Sequence, residues 1–437
     1  MLSIYKNLFT ELNSNKIKYC VYKSLNHLTE DLDGERGDLD IIIEDQDKTR
    51  FLNIAHEHNF LISKVNNDHF YLFAIDLPTQ KTVMIDFSTK IYAGPKPFKY
   101  LWMKLDFNKI KINTDIVPIL SKNDYTLLMF LIRIMSRSEK REDLLELKDL
   151  IHNSELNESY LMNSINHHSG KSSEDLIGDI TNANNWDSLK EGYSSELKKI
   201  YTYRFSVYLN SKIPIFFKIK QKVKRLLGFP SYRVNKRGRL IAFMGVDGAG
   251  KTSAVDYVLN LDVMKHTGVK RIYFGSNEYW IPGLHFLLIK SQNWPSLFRL
   301  PIGTLSLLDR QFRSLNLIYH LMLGKTVLAD RYVYDEFIGR KLQVQDGYSP
   351  TFLKRIYRKV FGIKMLIKPD LTLFLDVSPE VAFQRKQDYS FEHMLKVNQA
   401  YKDFFYKMPS VQIINCDQDH ETVLENIVQK VVSNVKG

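Results

Sequence analysis

The chain has 437 residues, 44% hydrophobic and 25% charged, which excludes the disordered and fibrous classes and points to two or three folded domains. Its formal net charge of +12 favours polyanionic company, whether nucleotides, nucleic acid or an acidic membrane surface, without choosing among them. The two cysteines, Cys20 and Cys416, lie at opposite ends with no CxxC or Cys/His cluster beside them, which argues against a disulfide framework or a zinc site.

The opening residues, MLSIYKNLFTELNSNK, mix charge and polarity too early for a signal peptide. No run approaches the length of a membrane span, so a cytoplasmic protein is expected. Residues 1–120 read as a mixed α/β domain: an amphipathic first helix, then short apolar strands near 19–22, 39–43, 70–75 and 83–87, with turn formers at Gly94, Pro95 and Pro97. Within it, Gly37-Asp38-Leu39-Asp40 puts two carboxylates on one side of a strand, because residues i and i+2 share a face. Asp86 ends another apolar run, so Asp38, Asp40 and Asp86 are candidates to converge on one or two magnesium ions. A DxD also occurs commonly in turns, and that plainer reading stands beside the metal-binding one.

Residues 121–210 change to helical spacing, in segments such as YTLLMFLIRIM and REDLLELKDLI, and read as a helical extension. Residues 211–239 form a basic amphipathic connector, with Phe216, Ile219, Val223, Leu226 and Leu227 on one helical face and Lys218, Lys222 and Arg225 opposite. Either this stretch, through 213–227, lies on an anionic membrane, or its apolar stripe packs on a neighbouring domain.

From 240 to 437 strands alternate with helices, the pattern of a parallel sheet covered by helices on both faces. Gly245-Val246-Asp247-Gly248-Ala249-Gly250-Lys251-Thr252 satisfies GxxxxGK[ST], directly after an apolar strand and before a helix that opens with Ser253. Glycines at 245, 248 and 250 let the backbone wrap phosphate oxygens, and loop amides with the helix N-terminus supply positive potential. Lys251 then reaches the β- and γ-phosphates and Thr252 holds magnesium, so ATP and Mg2+ are the expected cofactors. A P-loop alone does not separate kinase from GTPase, ATPase or regulator.

GVDGAGKT, followed by Val327-Leu328-Ala329-Asp330-Arg331-Tyr332 and by the run from Pro369 to Val377, resembles thymidylate kinase. That resemblance implies Asp330 beside the magnesium and the transferring phosphate, Arg331 next to the phosphates, Arg310 gripping the acceptor phosphate, and Arg385 at the start of a mobile lid. Arg310, Arg313 and Arg385 also read plainly as surface arginines on helices. Two departures are visible: the aromatic, apolar segment between Tyr273 and Asp309, and the whole N-terminal half.

The order Tyr22-Lys23-Ser24, Asp38-x-Asp40, Asp86 resembles the nucleotidyltransferase superfamily, with Lys23-Ser24 where many active members carry Gly-Ser. Lys23 either supplies charge in place of the glycine turn or marks a weakened site. The combined layout resembles uncharacterised bacterial proteins associated with surface-polysaccharide biosynthesis, which implies nucleotide or sugar-type acceptors.

The leading expectation is a magnesium-dependent kinase moving the γ-phosphate of ATP to such an acceptor, with an accessory nucleotidyltransferase-like domain. The alternatives are a nucleotidyltransferase releasing pyrophosphate, with a regulatory P-loop domain, and a nucleotide-gated binding or defence module. The resemblance implies a homodimer, and no specific nucleic-acid binding is expected.

Overall fold

The computed structural model describes every residue except 24, 95–97, 111, 114–115, 137–140, 153–159, 205–206, 208–213, 276–277, 292–293, 295, 346–366, 388–389 and 437. Two compact units emerge, residues 1–227 and 228–437. Their boundary falls inside the 211–239 connector.

In the first unit, α1 (Ser3–Ser14) buries Tyr5, Leu8, Phe9 and Leu12, one stripe of helical spacing. Strands β1 (Tyr19–Val21), β2 (Leu39–Ile43), β3 (Leu61–Asn66), β4 (His69–Asp76) and β5 (Lys81–Ser88) follow, with α2 (Leu28–Leu32) and α3 (Lys48–Glu57) between them. β6 (Ile91–Ala93), β7 (Leu101–Met103), β8 (Ile112–Asn113) and β9 (Ile119–Leu120) are short. The main sheet runs β3-β4-β5-β2-β1-β9-β8. β2 and β5 pair in parallel, which sets Asp40 opposite Asp86. Asp38 lies one residue before β2 and not within it.

The helical part comprises α4 (Lys122–Ser136), α5 (Arg141–His152), α6 (Tyr160–Ser169), α7 (Ser173–Asn182) and α8 (Trp186–Leu197). It shares one core with the sheet, since Phe130, Leu131, Trp186 and Tyr193 cluster with Cys20, Tyr22 and Ile42. A short strand that the helical pattern did not announce, β10 (Thr202–Tyr203), returns to pair with β7. The connector's helix is α9 (Pro214–Leu226); residues 211–213, with Pro95, Pro97 and Ser24, lie outside the described residues.

The second unit is a five-stranded parallel sheet of β11 (Leu240–Met244), β12 (Val269–Tyr273), β13 (Thr326–Asp330), β14 (Leu371–Asp376) and β15 (Val411–Asn415), ordered β12-β13-β11-β14-β15. β11 and β13 are buried throughout, and β14 is buried up to Asp376, as continuous apolar runs require in a parallel sheet. β12 and β15 are the edge strands, β12 mostly half-buried and β15 mostly exposed, and VKRIY and VQIIN carry polar residues that break any long apolar run. Its helices are α10 (Lys251–Asn260), α11 (Asp262–Thr267), α12 (Leu284–Lys290), α13 (Ser296–Met322), α14 (Tyr334–Gln345), α15 (Pro379–Arg385), α16 (Phe391–Phe405) and α17 (His420–Lys436). Successive strand residues face opposite ways. Phe374 stacks on Phe405 of α16 at 5.0 Å, while Leu375 lines a cavity with Leu424 and Ile427 of α17, so helices cover both faces of the sheet.

Candidate active site

β11 carries the chain into the loop 245–250, and α10 begins at Lys251. Gly248 has φ +86°, and a Cβ there would lie 2.4 Å from the carbonyl oxygen of Ala382, so backbone meets backbone and only glycine fits. Lys251 is buried, its Nζ donating to the carbonyls of Gly245 at 2.8 Å and Val246 at 2.7 Å. Burial, then the nearby Arg331 charge, pull its ammonium down to about 8.

Parallel pairing of β11 with β13 sets Phe243 opposite Asp330, so the carboxylate ends its strand beside the loop, where α/β sheets place ligands. Asp330 is 1% exposed. Its Oδ2 accepts from Thr252 Oγ1 at 3.1 Å and from Arg271 Nη2 at 2.6 Å. A hydroxyl and a carboxylate side by side are oxygen donors suited to magnesium, and the bond between them tests that fit directly.

Arg331 follows at φ +65°, a left-handed backbone that a non-glycine residue adopts only under local constraint. Its guanidinium pairs with Asp247 and bonds Asp335 at 2.8 Å. Burial works against its charge, but Asp335 and Asp247 outweigh it and hold the group firmly protonated. Arg310, from α13, pairs with Glu336 of α14. A cavity of about 260 Å³ is lined by Asp247, Phe274, Arg310, Arg331, Asp335 and Glu336. A second, of about 240 Å³, is lined by Gly250, Ser253, Arg385, Cys416 and Gln418. The expected residues thus divide: Arg310 and Arg331 meet on one side of the loop, whereas Arg385, the last residue of α15, stands on the other beside the carbonyl of Gly248.

Four participants are not visible in the motif. Arg271 sits on an edge strand and reaches Asp330 only through the register of β12 with β13. Asp335 accepts from both Arg331 and the Tyr401 hydroxyl, the latter at 2.7 Å. Asp309 and Arg313 are buried one helical turn apart and paired at 2.9 Å. Asp309 accepts the amides of Trp280 and Ile281, while Arg313 donates to the carbonyl of Tyr273. Together they fasten the aromatic segment after β12, one wall of the larger cavity, to α13. Asp376 accepts from the Tyr406 hydroxyl and forms an ion pair with Lys402, which ties β14 to α16 and the residue after it.

In the first unit Asp40 pairs with Lys23, and His69 Nε2 donates to Asp86 at 2.8 Å. Burial pushes the Asp40 carboxyl up to about 6, Lys23 resisting and Asp86 adding to the rise. Burial acts on Asp86 too, but the His69 hydrogen bond and charge, with Lys23, hold it below the usual carboxylate value. The donor chemistry suits magnesium, but Lys23 and His69 now occupy these oxygens. Among the described residues no group of three or more His, Cys, Asp or Glu is arranged to hold a metal ion. Asp38 contributes charge near Asp40 without completing such a group.

No family model matches the chain. It is 26% identical over 195 residues to the thymidylate kinase of Ligilactobacillus salivarius, covering 43% of this chain and 88% of that one. It is 27% identical over 221 residues to the thymidylate kinase of Mycoplasmoides gallisepticum (46% and 98% covered), and 29% over 210 residues to that of Plasmodium falciparum (45% and 90%). Among solved structures, deoxyadenosine kinase from M. mycoides with products dCMP and dCDP aligns at 19% identity and TM-score 0.32, over 44% of this chain and 97% of that one. The chain is therefore similar to thymidylate kinases over somewhat less than half its length.

Proposed function

We propose that the second unit is a nucleotide kinase that transfers the γ-phosphate of ATP to a phosphate-bearing acceptor, a nucleotide or a sugar-type phosphate. The observation that carries this reading is the division of the P-loop's surroundings. Lys251, Thr252 and Asp330 stand together, and Arg310 and Arg331 line a cavity on one side while Ser253 and Arg385 line another. Phosphoryl transfer asks for positioning and for positive charge around the equatorial oxygens, and these groups offer both. The similarity to thymidylate kinases supports the same class.

In this reading the amides of 248–252 and Lys251 hold the donor phosphates, Lys251 leaving its loop carbonyls for phosphate oxygens. Thr252 and Asp330 are the residues that would hold magnesium, which would supply positive charge to offset that of the phosphates. Arg310 and Arg331 orient the acceptor phosphate. Arg271 keeps the Asp330 carboxylate aimed at Thr252. Acceptor-dependent ADP formation tests the proposal, and Lys251→Ala is expected to lower it by about 100-fold or more.

Asp40 and Asp86, adjacent in parallel register, favour a second reading in which the first unit is a nucleotidyltransferase releasing pyrophosphate. It requires Lys23 and His69 to yield those oxygens to metal or nucleotide. A homodimer belongs to the proposal as well: Leu305, Leu308, Phe312, Leu315, Tyr319 and Met322 of α13 form an exposed stripe at alternating three- and four-residue spacing. Sedimentation velocity on the full chain tests it, with Phe312→Glu expected to give monomer.

A further inference from the structure

The chain's charge is not spread along it. Between Leu197 and Val246 there are thirteen Lys and Arg and no Asp or Glu, against a net of +12 for all 437 residues, which leaves the rest of the chain at −1. At the centre of this stretch lies α9. Four apolar residues of its described part and C-terminal edge are in water: Ile219 is 51% exposed, Val223 45%, Leu226 76%, and the adjoining Leu227 45%. At 3.6 residues per turn these four fall within an arc of roughly 100°, the width of a stripe that is ordinarily covered. Lys218, Lys220, Lys222, Lys224 and Arg225 are exposed too and fill the remaining circumference, with Lys220 and Lys222 flanking the apolar arc. Cations along both margins suit a helix lying in a lipid headgroup layer, where the alkyl stems follow the apolar arc inward while the ammonium groups reach lipid phosphates.

We propose that α9 is an interfacial helix that docks the chain on an anionic phospholipid surface, Ile219, Val223, Leu226 and Leu227 entering the acyl boundary and the five cations meeting headgroup phosphates. Charge complementarity selects this occupant. A second copy would bring the same cations face to face, and a nucleic acid would use the charge while leaving the apolar arc in water. No helix among the described residues is long and apolar enough to cross a membrane, so the contact is peripheral. Each basic residue near such a surface strengthens binding about fivefold, or about 1 kcal/mol.

The test is co-sedimentation of the full chain with vesicles of phosphatidylglycerol and phosphatidylcholine, against phosphatidylcholine alone. Because the altered side chains are exposed, Val223→Glu/Leu226→Glu and Lys222→Ala/Lys224→Ala are expected to keep the parent melting profile. Binding to anionic vesicles, absent from neutral ones, weakened about 25-fold by the double lysine change and abolished by the glutamates, bears the proposal out. No binding to anionic vesicles, or binding that the glutamates leave intact, overturns it. Self-association that the glutamates abolish in the absence of lipid also overturns it, and assigns the arc to a second copy.

Discussion

Lys251 combines two demands that conflict without phosphate: it must sit inside the loop, and it must be charged. With its ammonium held down to about 8, it loses its proton above that pH, and bound phosphates raise the value again. ATP binding should therefore take up a proton at about pH 9, and affinity should fall above pH 8 with a slope approaching tenfold per unit. Titration calorimetry in two buffers of different ionisation enthalpy measures this, and equal apparent enthalpies would contradict it. Asp330 makes the complementary case. Buried against Arg271 and Thr252, it loses its cation in Arg271→Met, at a cost of about 3 kcal/mol, because a buried carboxylate is left without its partner. Adding Asp330→Asn should recover most of that loss in denaturant unfolding; additive costs would show that the pair is uncoupled.

At the level of elements, the loop and its neighbours decide what the P-loop glycines are for. Gly248 touches the backbone of α15, whereas Gly250, also at φ +86°, has open space where a Cβ would stand. Gly250→Ala should then cost about 1 kcal/mol of backbone strain, and Gly248→Ala should disrupt the loop and remove measurable nucleotide binding. Equal effects in a binding assay would count against the close approach. These glycines, with Lys251 and Thr252, are legible in the sequence because a P-loop is local: eight consecutive residues carry the geometry. Asp330 is legible for a similar reason, as the end of an apolar strand. Arg271 is not, because its role exists only once an edge strand lies in register beside β13, and VKRIY, interrupted by Lys270 and Arg271 itself, leaves no apolar run. The Asp309–Arg313 clamp is hidden differently, since a turn-spaced ion pair ordinarily marks a solvated helix face and here is buried. In the first unit the Asp40 and Asp86 motif was visible, but His69 as the partner of Asp86 depends on the β4–β5 pairing.

Over the whole molecule, two compact units with separate candidate sites should answer ligands separately. Calorimetric melting is expected to give two transitions, and ATP at 100 times its Kd should stabilise one by about 2.7 kcal/mol and leave the other in place. A single transition raised as a whole would show that the units unfold together. Which unit does the chemistry is read from the by-product. Phosphorus NMR of the full chain with magnesium, ATP and a panel of nucleotides and sugar phosphates is predicted to show acceptor-dependent ADP, lost in Lys251→Ala and retained in Asp40→Ala/Asp86→Ala. Pyrophosphate in place of ADP, retained in the Lys251 variant and lost in the aspartate variant, would contradict the account.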